Sequence, residues 1–452
     1  MVIRWLPAAC LFLAACSGVP EVAPPSPTKP VILGTRGPLT DRQIKALFAK
    51  MGPTAEDLLQ RHLAVEQAVA ETPLIAGNRT RVLRDGPATF AAMFDAIRSA
   101  RRYVLLEYFI FENVSSGDSS LADLLVEKRH QGVEIDIIYD SYGSADTPKE
   151  LFDGLAREGI RIVQFNPLNP LDAKAGNYAP NDRDHRKILV VDGTQAIVGG
   201  VNLSVTYTSG RLPPSSRPEQ PPALPWRDTD LRIEGPAVAQ LQQLFLQHWR
   251  EQHGPDLDIS TAPPSPPAKG NEVIRIIGST PDHDVPRFYV TLLSAIRTAE
   301  RRIWLNTAYF VPTHQEMEDL IAAAKRGVDV RLVVPDASDS ALAIAVQHSR
   351  YEDLLEAGVQ IFETHDEVLH SKSAVIDGVW SVIGSSNFDH RSVLFNDEVD
   401  AVILGGDTAD ELQRLFEQDI AGARKIDLAA WRDRPLFQRM HELFARITQP
   451  ML

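Results

Sequence analysis

Cysteine is nearly absent from this chain. Of 452 residues only Cys10 and Cys16 carry a thiol, and both lie within the first sixteen positions. The body of the protein therefore holds no disulfide and no cysteine-based metal centre. Beyond residue 16 there is no apolar run of the roughly 20 residues that a membrane-spanning helix takes. Positive charge is also in deficit: 46 Lys and Arg against 60 Asp and Glu give a formal net charge of −14. That sign disfavours non-specific nucleic-acid binding, which relies on a basic surface, unless a local basic cleft sits on the acidic body. The remainder, 44% hydrophobic and 23% charged, is ordinary for a globular protein long enough for two domains.

What is present, twice, is one pattern. The first copy runs from His185 through Lys187, Asp192, Gly199 and Gly200 to Asn202; the second runs from His370 through Lys372, Asp377, Gly384 and Ser385 to Asn387. Both read H-x-K-x4-D-x6-G-[GS]-x-N. Ile188 to Val191 and Ala374 to Ile376 are apolar and largely β-branched, which predicts buried strands. Residues two apart on a strand share a face, so each histidine should point with its lysine. Asp192-Gly193 and Asp377-Gly378 are strong hairpin signals. The return strands lead to small-residue corners at Gly200 and Ser385, where backbone N–H groups can approach an anion. Asn202 and Asn387 follow as amide donors. One imidazole, one ammonium and several neutral donors per copy suit a phosphodiester. A single H-x-K or Asp-Gly means little; matching positions in two copies argue against coincidence.

The repeat extends upstream. Ala96 to Val104 matches Ala295 to Trp304 with one inserted residue, and each segment is a helix end feeding a strand, at 104–111 and 303–311. Matching helices follow, stopped by Gly132 and Gly327 as expected just past a helix C-terminus. Strands at 133–139 and 328–334, helices ending at Gly159 and Gly358, and strands at 160–164 and 359–362 complete each half. Alternating strands and helices imply α/β layers. Duplication at this scale implies two similar domains about a pseudo-twofold axis, with the motifs facing each other. Asp228 and Glu398 occupy matching places after the motifs. An imidazole that acts as a nucleophile needs its second nitrogen held by an acceptor, which is the role read for both carboxylates. Residues 210–225, dense in Pro and Ser, read as a surface insert. Asp182 and Asp184, beside His185, are not read as metal ligands, because the lysine two residues after His185 suits phosphate instead.

At these residues the sequence resembles the phospholipase D superfamily, whose signature is the duplicated motif. It looks most like bacterial cardiolipin synthases, through Ser386-Asn387-Phe388-Asp389-His390-Arg391-Ser392, Asn396-Asp397-Glu398, and Trp226-Arg227-Asp228-Thr229-Asp230 leading into Gly235-Pro236-Ala237-Val238. The likeness covers roughly residues 75 to 450. Gly200 stands where the simplest family motif has Ser. The resemblance implies two α/β phospholipase D-like domains with mixed sheets and the active site at their interface. It implies a catalytic set of His185, Lys187, Asp192, His370, Lys372 and Asp377, with Gly200, Asn202, Ser385 and Asn387 against the substrate. It also implies that a carboxylate after the motif orients a histidine, which supports Glu398 better than Asp228. By the same resemblance His185 is the nucleophile and His370 the acid/base. The implied reaction is phosphatidyl transfer between phospholipids through a phosphohistidine, with cardiolipin as product and neither metal nor nucleotide cofactor. A hydrolase that passes the group to water, a nuclease, and a non-catalytic lipid-binding protein are the competing readings. The acidic charge counts against the nuclease, and the two complete motifs count against the non-catalytic protein.

The N-terminus bears on location. Arg4, an apolar stretch from Trp5 to Ala15, and Leu13-Ala14-Ala15-Cys16 resemble a bacterial lipoprotein signal, implying cleavage before Cys16 and lipidation there. Ser17, not Asp, follows, which in enterobacterial-type lipoproteins implies the periplasmic side of the outer membrane. Acyl chains at Cys16 would hold the protein at a membrane surface. Many cardiolipin synthases carry N-terminal transmembrane helices instead. The resulting division is a leader at 1–16, a Pro-rich tether at 17–38, a helical preface at 39–74, a first domain at 75–260, a linker at 261–270 and a second domain at 271–452. His62, in the preface, reads as a helix-face residue.

Overall fold

A computed structural model describes residues 22, 31–49, 53–69, 72–169, 179, 181–207, 224, 226–257, 259, 266–281 and 286–448. The leader with Cys16, most of the tether, nearly all of the 210–225 insert and the 261–265 part of the linker lie outside the described residues. Among the described residues no helix is long and apolar enough to cross a membrane.

A short antiparallel strand pair, Ile32–Gly34 with Gly37–Pro38, comes first, its first strand parallel to Leu74 and Ile75. Two preface helices follow, α1 (Asp41–Phe48) and α2 (Pro53–Val69). The first half then runs β1 (Leu74–Arg84), α3 (Asp85–Ser99), β2 (Tyr103–Tyr108), α4 (Leu121–His130), β3 (Glu134–Asp140), α5 (Lys149–Arg157), β4 (Arg161–Phe165), β5 (Arg183–Asp184), β6 (Lys187–Val191), β7 (Gln195–Gly199), β8 (Trp226–Arg227), β9 (Thr229–Glu234) and α6 (Val238–Glu251). The second half repeats the order: β10 (Glu272–Ser279), α7 (Arg287–Thr298), β11 (Arg302–Asn306), α8 (His314–Lys325), β12 (Asp329–Pro335), α9 (Ala341–Glu356), β13 (Gln360–Thr364), β14 (Val368–Leu369), β15 (Ser373–Ile376), β16 (Trp380–Gly384), α10 (His390–Leu394), β17 (Asn396–Leu404) and α11 (Asp407–Gly422). Helices α12 (Leu428–Arg432) and α13 (Leu436–Thr448) close the chain.

The hydrogen-bonded order is β4-β3-β2-β6-β7-β9-β1 in the first half and β10-β17-β16-β15-β11-β12-β13 in the second, each mixed parallel and antiparallel. The orders mirror one another and join where β1 pairs antiparallel with β10, Ile75 opposite Ile274. One mixed sheet thus runs through the pseudo-twofold.

Alternation along β6 explains how the layers hold together. Ile188 and Val190 enter the core that also contains Val375 and Ile383 of the other half, whereas Leu189 and Val191 enter the core under α3 to α5. Each such buried aliphatic side chain contributes roughly 1.5–3 kcal/mol of apolar burial. The preface is part of this core: Phe48, Leu58, Leu59 and Leu63 pack with Leu292 and Ile296 of α7, in the second half. His62 is correspondingly buried, and its Nε2 lies 3.2 Å from Asp377.

The strands expected over 104–111 and 303–311 stop at Tyr108 and Asn306. Beyond those points the chain keeps only isolated bridges, Phe111 to Leu203 and Phe310 to Phe388, and turns to line a cavity.

Candidate active site

Two short cross-half pairings build the site. β5, just before His185, pairs in parallel with Asn396 and Asp397 of β17, just before Glu398. β14, just before His370, pairs in parallel with β8, just before Asp228. The histidine backbones are clamped into these bridges: His185 N donates to Asp397 O at 2.9 Å, and His370 N to Arg227 O at 2.7 Å. Each motif histidine therefore meets the carboxylate of the opposite half. His185 Nδ1 lies 3.0 and 3.1 Å from the Glu398 oxygens, and His370 Nδ1 lies 2.7 Å from Asp228 Oδ2. Both carboxylates are fully buried. With Nδ1 held, the reactive position left on each ring is Nε2.

The lysines stay with their histidines. Lys187 Nζ donates to His185 O at 2.5 Å and sits 5.5 Å from the centre of the Phe109 ring, against whose edge His185 also packs. Lys372 Nζ donates to His370 O and lies 2.7 Å from His370 Nδ1. Burial of these charges sets the titration pattern. It drives Lys187 down to about 7 and lowers Lys372 as well. It lowers His185 against the pull of Glu398, and burial together with Lys372 takes His370 to about 4. Burial alone would raise Asp228 and Glu398. Lys372 and His370 outweigh it for the first, His185 and Lys187 for the second, so both carboxyls stay below their ordinary values and ionised. The resulting site has anionic carboxylates, neutral imidazoles and two ammonium groups whose protons burial loosens, Lys187 to about 7.

Other motif residues take different places. Asp192 and Asp377 are not brought to the histidines but end the strands that start there. Their carboxylates cap backbone N–H groups instead: Asp192 those of Arg101, Arg102 and Tyr103 at 2.8–2.9 Å, and Asp377 those of Glu300, Arg301 and Arg302 at 2.7–3.2 Å. Each sits with positive φ in its Asp-Gly turn, so their work is structural and the catalytic expectation for them is corrected. The corner N–H groups expected to face an anion are engaged too. Gly200 N donates to Thr229 O at 3.1 Å and Ser385 N to Val399 O at 2.9 Å. Ser385 Oγ donates to Glu398 at 2.5 Å, so Ser385 positions a carboxylate. A Cβ on Gly200 would collide with the Asp228 carboxylate, which is why the first copy has glycine there. Asn202 accepts from Ile110 N at 3.2 Å and bonds Tyr207, which ties its amide inside the first half. Asn387 lines the cavity, and its Oδ1 has no partner among the described residues.

The cavity measures about 590 Å³ and is lined by His185, Asn387, Phe109, Tyr142, Tyr309, Arg183, Arg391 and Asn396, among others. Tyr309 also meets the His370 ring at 6.0 Å, which links the cavity wall to the second histidine. Sequence reasoning missed Tyr207, whose hydroxyl reaches His370 Nδ1 at 3.1 Å, and Trp226, whose ring lies tilted against the imidazole with centroids 4.7 Å apart. Trp226 directly precedes Arg227-Asp228, and that adjacency was the available signal. Arg183, two residues before His185, was missed as well.

Behind His185 lies a buried polar cluster. His248 Nδ1 is 2.8 Å from Glu107, which also accepts from Arg186 at 3.3 Å, and burial raises Glu107 to about 7. Glu107, Asp184 and His248 bring ligand-type atoms within 4.8 Å of one another. The Arg186 guanidinium already supplies positive charge to that cluster, so its donor set matches a proton-sharing network better than a dication site.

The comparisons agree with this architecture. The family model described as cardiolipin synthase, phospholipase D-like domain, matches residues 93–212 and 292–420. A cardiolipin synthase of Geobacillus thermodenitrificans is 34% identical over 405 residues, 89% of this chain and 77% of that protein. Cardiolipin synthase A of Pseudomonas aeruginosa is 32% identical over 386 residues, 85% of this chain and 75% of that protein. The crystal structure of a phosphatidylserine synthase from Haemophilus influenzae shares the fold, with a TM-score of 0.63 at 11% identity, over 88% of this chain and all of that one.

Proposed function

The chain belongs to the cardiolipin synthase family of phospholipase D-like proteins, and we propose that it is a phosphatidyltransferase that joins two phosphatidylglycerol molecules into cardiolipin and releases glycerol. The observation that carries the proposal is the pair of imidazoles, each held at Nδ1 by a buried carboxylate of the opposite half. His185 Nε2 attacks the donor phosphorus and forms a phosphatidyl-histidine. His370 gives its proton to the departing glycerol oxygen, then takes one from the incoming hydroxyl. Lys187 and Lys372 neutralise the non-bridging oxygens as charge builds on them. Binding of the anionic diester supplies the charge that keeps these ammonium groups protonated and raises the histidines toward the working range.

Membrane attachment belongs to the same proposal: a lipid anchor at Cys16 on the periplasmic side of the outer membrane. Helix α13 supports the membrane reading. Leu436, Phe437, Met440, Leu443 and Phe444 form an exposed stripe, each more than half exposed, while Ala445 packs with Val311 and Ala343 of the cavity wall. An apolar face beside the mouth of a lipid-accepting cavity suits an interfacial helix. The test is labelled phosphatidylglycerol vesicles without added metal. Cardiolipin plus free glycerol is the expected result. Phosphatidic acid alone would make water the acceptor, and no product would refute the proposal.

A further inference from the structure

Arg183 is 5% exposed yet lines the cavity beside His185. Its Nη1 is engaged with Ser141 Oγ at 3.2 Å, Asn166 O at 3.4 Å and Asp140 at 3.5 Å. Its Nε and Nη2 have no partner among the described residues. These two atoms form one edge of the guanidinium, a planar fork that matches two oxygens of a phosphate. Buried donors of this kind are costly to leave unmade, so an unpartnered fork on a side chain that lines the cavity points to a ligand. The mechanism above does not use it. The matching position in the second half is Val368, so this cation is not part of the duplicated chemistry.

Resting on the phosphatidyltransferase reading, we propose that Arg183 binds the phosphate of the acceptor phospholipid and thereby favours transfer to a lipid over transfer to water. Two residues of extended strand separate Arg183 from His185, about 6–7 Å, comparable with the glyceryl unit between an acceptor's terminal hydroxyl and its own phosphate. With the acceptor phosphate on the Arg183 fork, its hydroxyl lies at the phosphatidyl-histidine. The hydroxyl proton goes to His370 Nε2 as the oxygen bonds to phosphorus. The phosphorus–nitrogen bond breaks, and its electron pair returns to the His185 ring. Arg391, held by Asn181 at 3.0 and 3.1 Å, adds positive charge to the same wall.

The test separates a charged acceptor from a neutral one. Full-length wild type and Arg183→Gln are given phosphatidylglycerol vesicles with and without ethanol, and cardiolipin, phosphatidic acid and phosphatidylethanol are quantified. Arg183→Gln should lower the cardiolipin to phosphatidic acid ratio at least tenfold and leave phosphatidylethanol formation within about twofold. An unchanged ratio overturns the proposal, and so does a parallel fall in both transfer products. If Arg183→Gln does not fold, Arg183→Lys, which keeps the charge and removes the fork, decides on the same ratio. A wild type that makes neither transfer product refutes the phosphatidyltransferase reading itself, a result distinct from the loss of the acceptor effect alone.

Discussion

The two halves carry one motif in two different surroundings. Around His370 the wall is aromatic: Trp226 leans against the ring, and Tyr207 joins Asp228 at Nδ1. Around His185 a single aromatic among the described residues, Phe109, meets the ring, and Arg183, Asn396 and Arg391 line the cavity beside it. The partners differ in size as well. The shorter carboxylate, Asp228, lies against Gly200, whereas the longer one, Glu398, takes a hydroxyl from Ser385. The departure from the simple motif at residue 200 is therefore a packing requirement of Asp228. Duplication supplies two equivalent nitrogens, and divergence of their surroundings is what allows one to act as nucleophile and the other as acid and base.

The largest effects come from the histidines. His185→Ala and His370→Ala should each lower kcat/KM by at least about 10⁴-fold. A donor with a nitrophenol leaving group, which needs little protonation, should separate them. His370→Ala should release nitrophenol in a burst, and His185→Ala should not. Equal release from both variants would erase the division of roles.

Next come the crossed carboxylates. Asp228→Asn and Glu398→Gln should each cost about 10²–10⁴-fold in kcat, because each amide no longer fixes the tautomer of its histidine. Steady-state rates on vesicles check this, and a loss below tenfold for either would show that the cross-half pair is decorative.

The corner exchange is smaller and asymmetric. Gly200→Ser should destabilise the fold by about 1–3 kcal/mol through its clash with Asp228. Ser385→Gly removes two buried hydrogen bonds, the one its Oγ donates to Glu398 and the one it accepts from Val399 N, and should cost about 2 kcal/mol. Thermal unfolding of the two variants tests both values.

The mildest effect is on pH. Lys187, lowered by burial to about 7, is charged below that pH and neutral above it. kcat/KM for an anionic lipid should therefore fall as pH rises through about 7. In Lys187→Arg, whose guanidinium stays charged, the falling limb should move to higher pH.

Much of this was legible in the chain. The repeat, the element order, both histidine–lysine pairs and the matched carboxylates follow from spacing and periodicity, which are local. Which carboxylate serves which histidine was not, because β5 meets β17 and β8 meets β14 across more than 140 residues, and no local pattern records that. Asp192 and Asp377 misled for the opposite reason. They are fixed members of the motif, but the strand carries them away from its catalytic end to close a turn. Ser385 and Asn202 looked available as donors because a sequence does not show that Glu398, Ile110 and Tyr207 already occupy them. The preface helices gave no sign that they would dock on the second half, since their apolar stripes fit either one.

The division of roles is tested most directly by locating the covalent intermediate. Enzyme quenched in alkali seconds after mixing with phosphatidylglycerol would be digested, and its histidine-containing peptides mapped by mass. The phosphatidyl group is predicted on the peptide bearing His185. Finding it on His370 would reverse the assignment, and finding no adduct while cardiolipin accumulates would contradict the two-step mechanism.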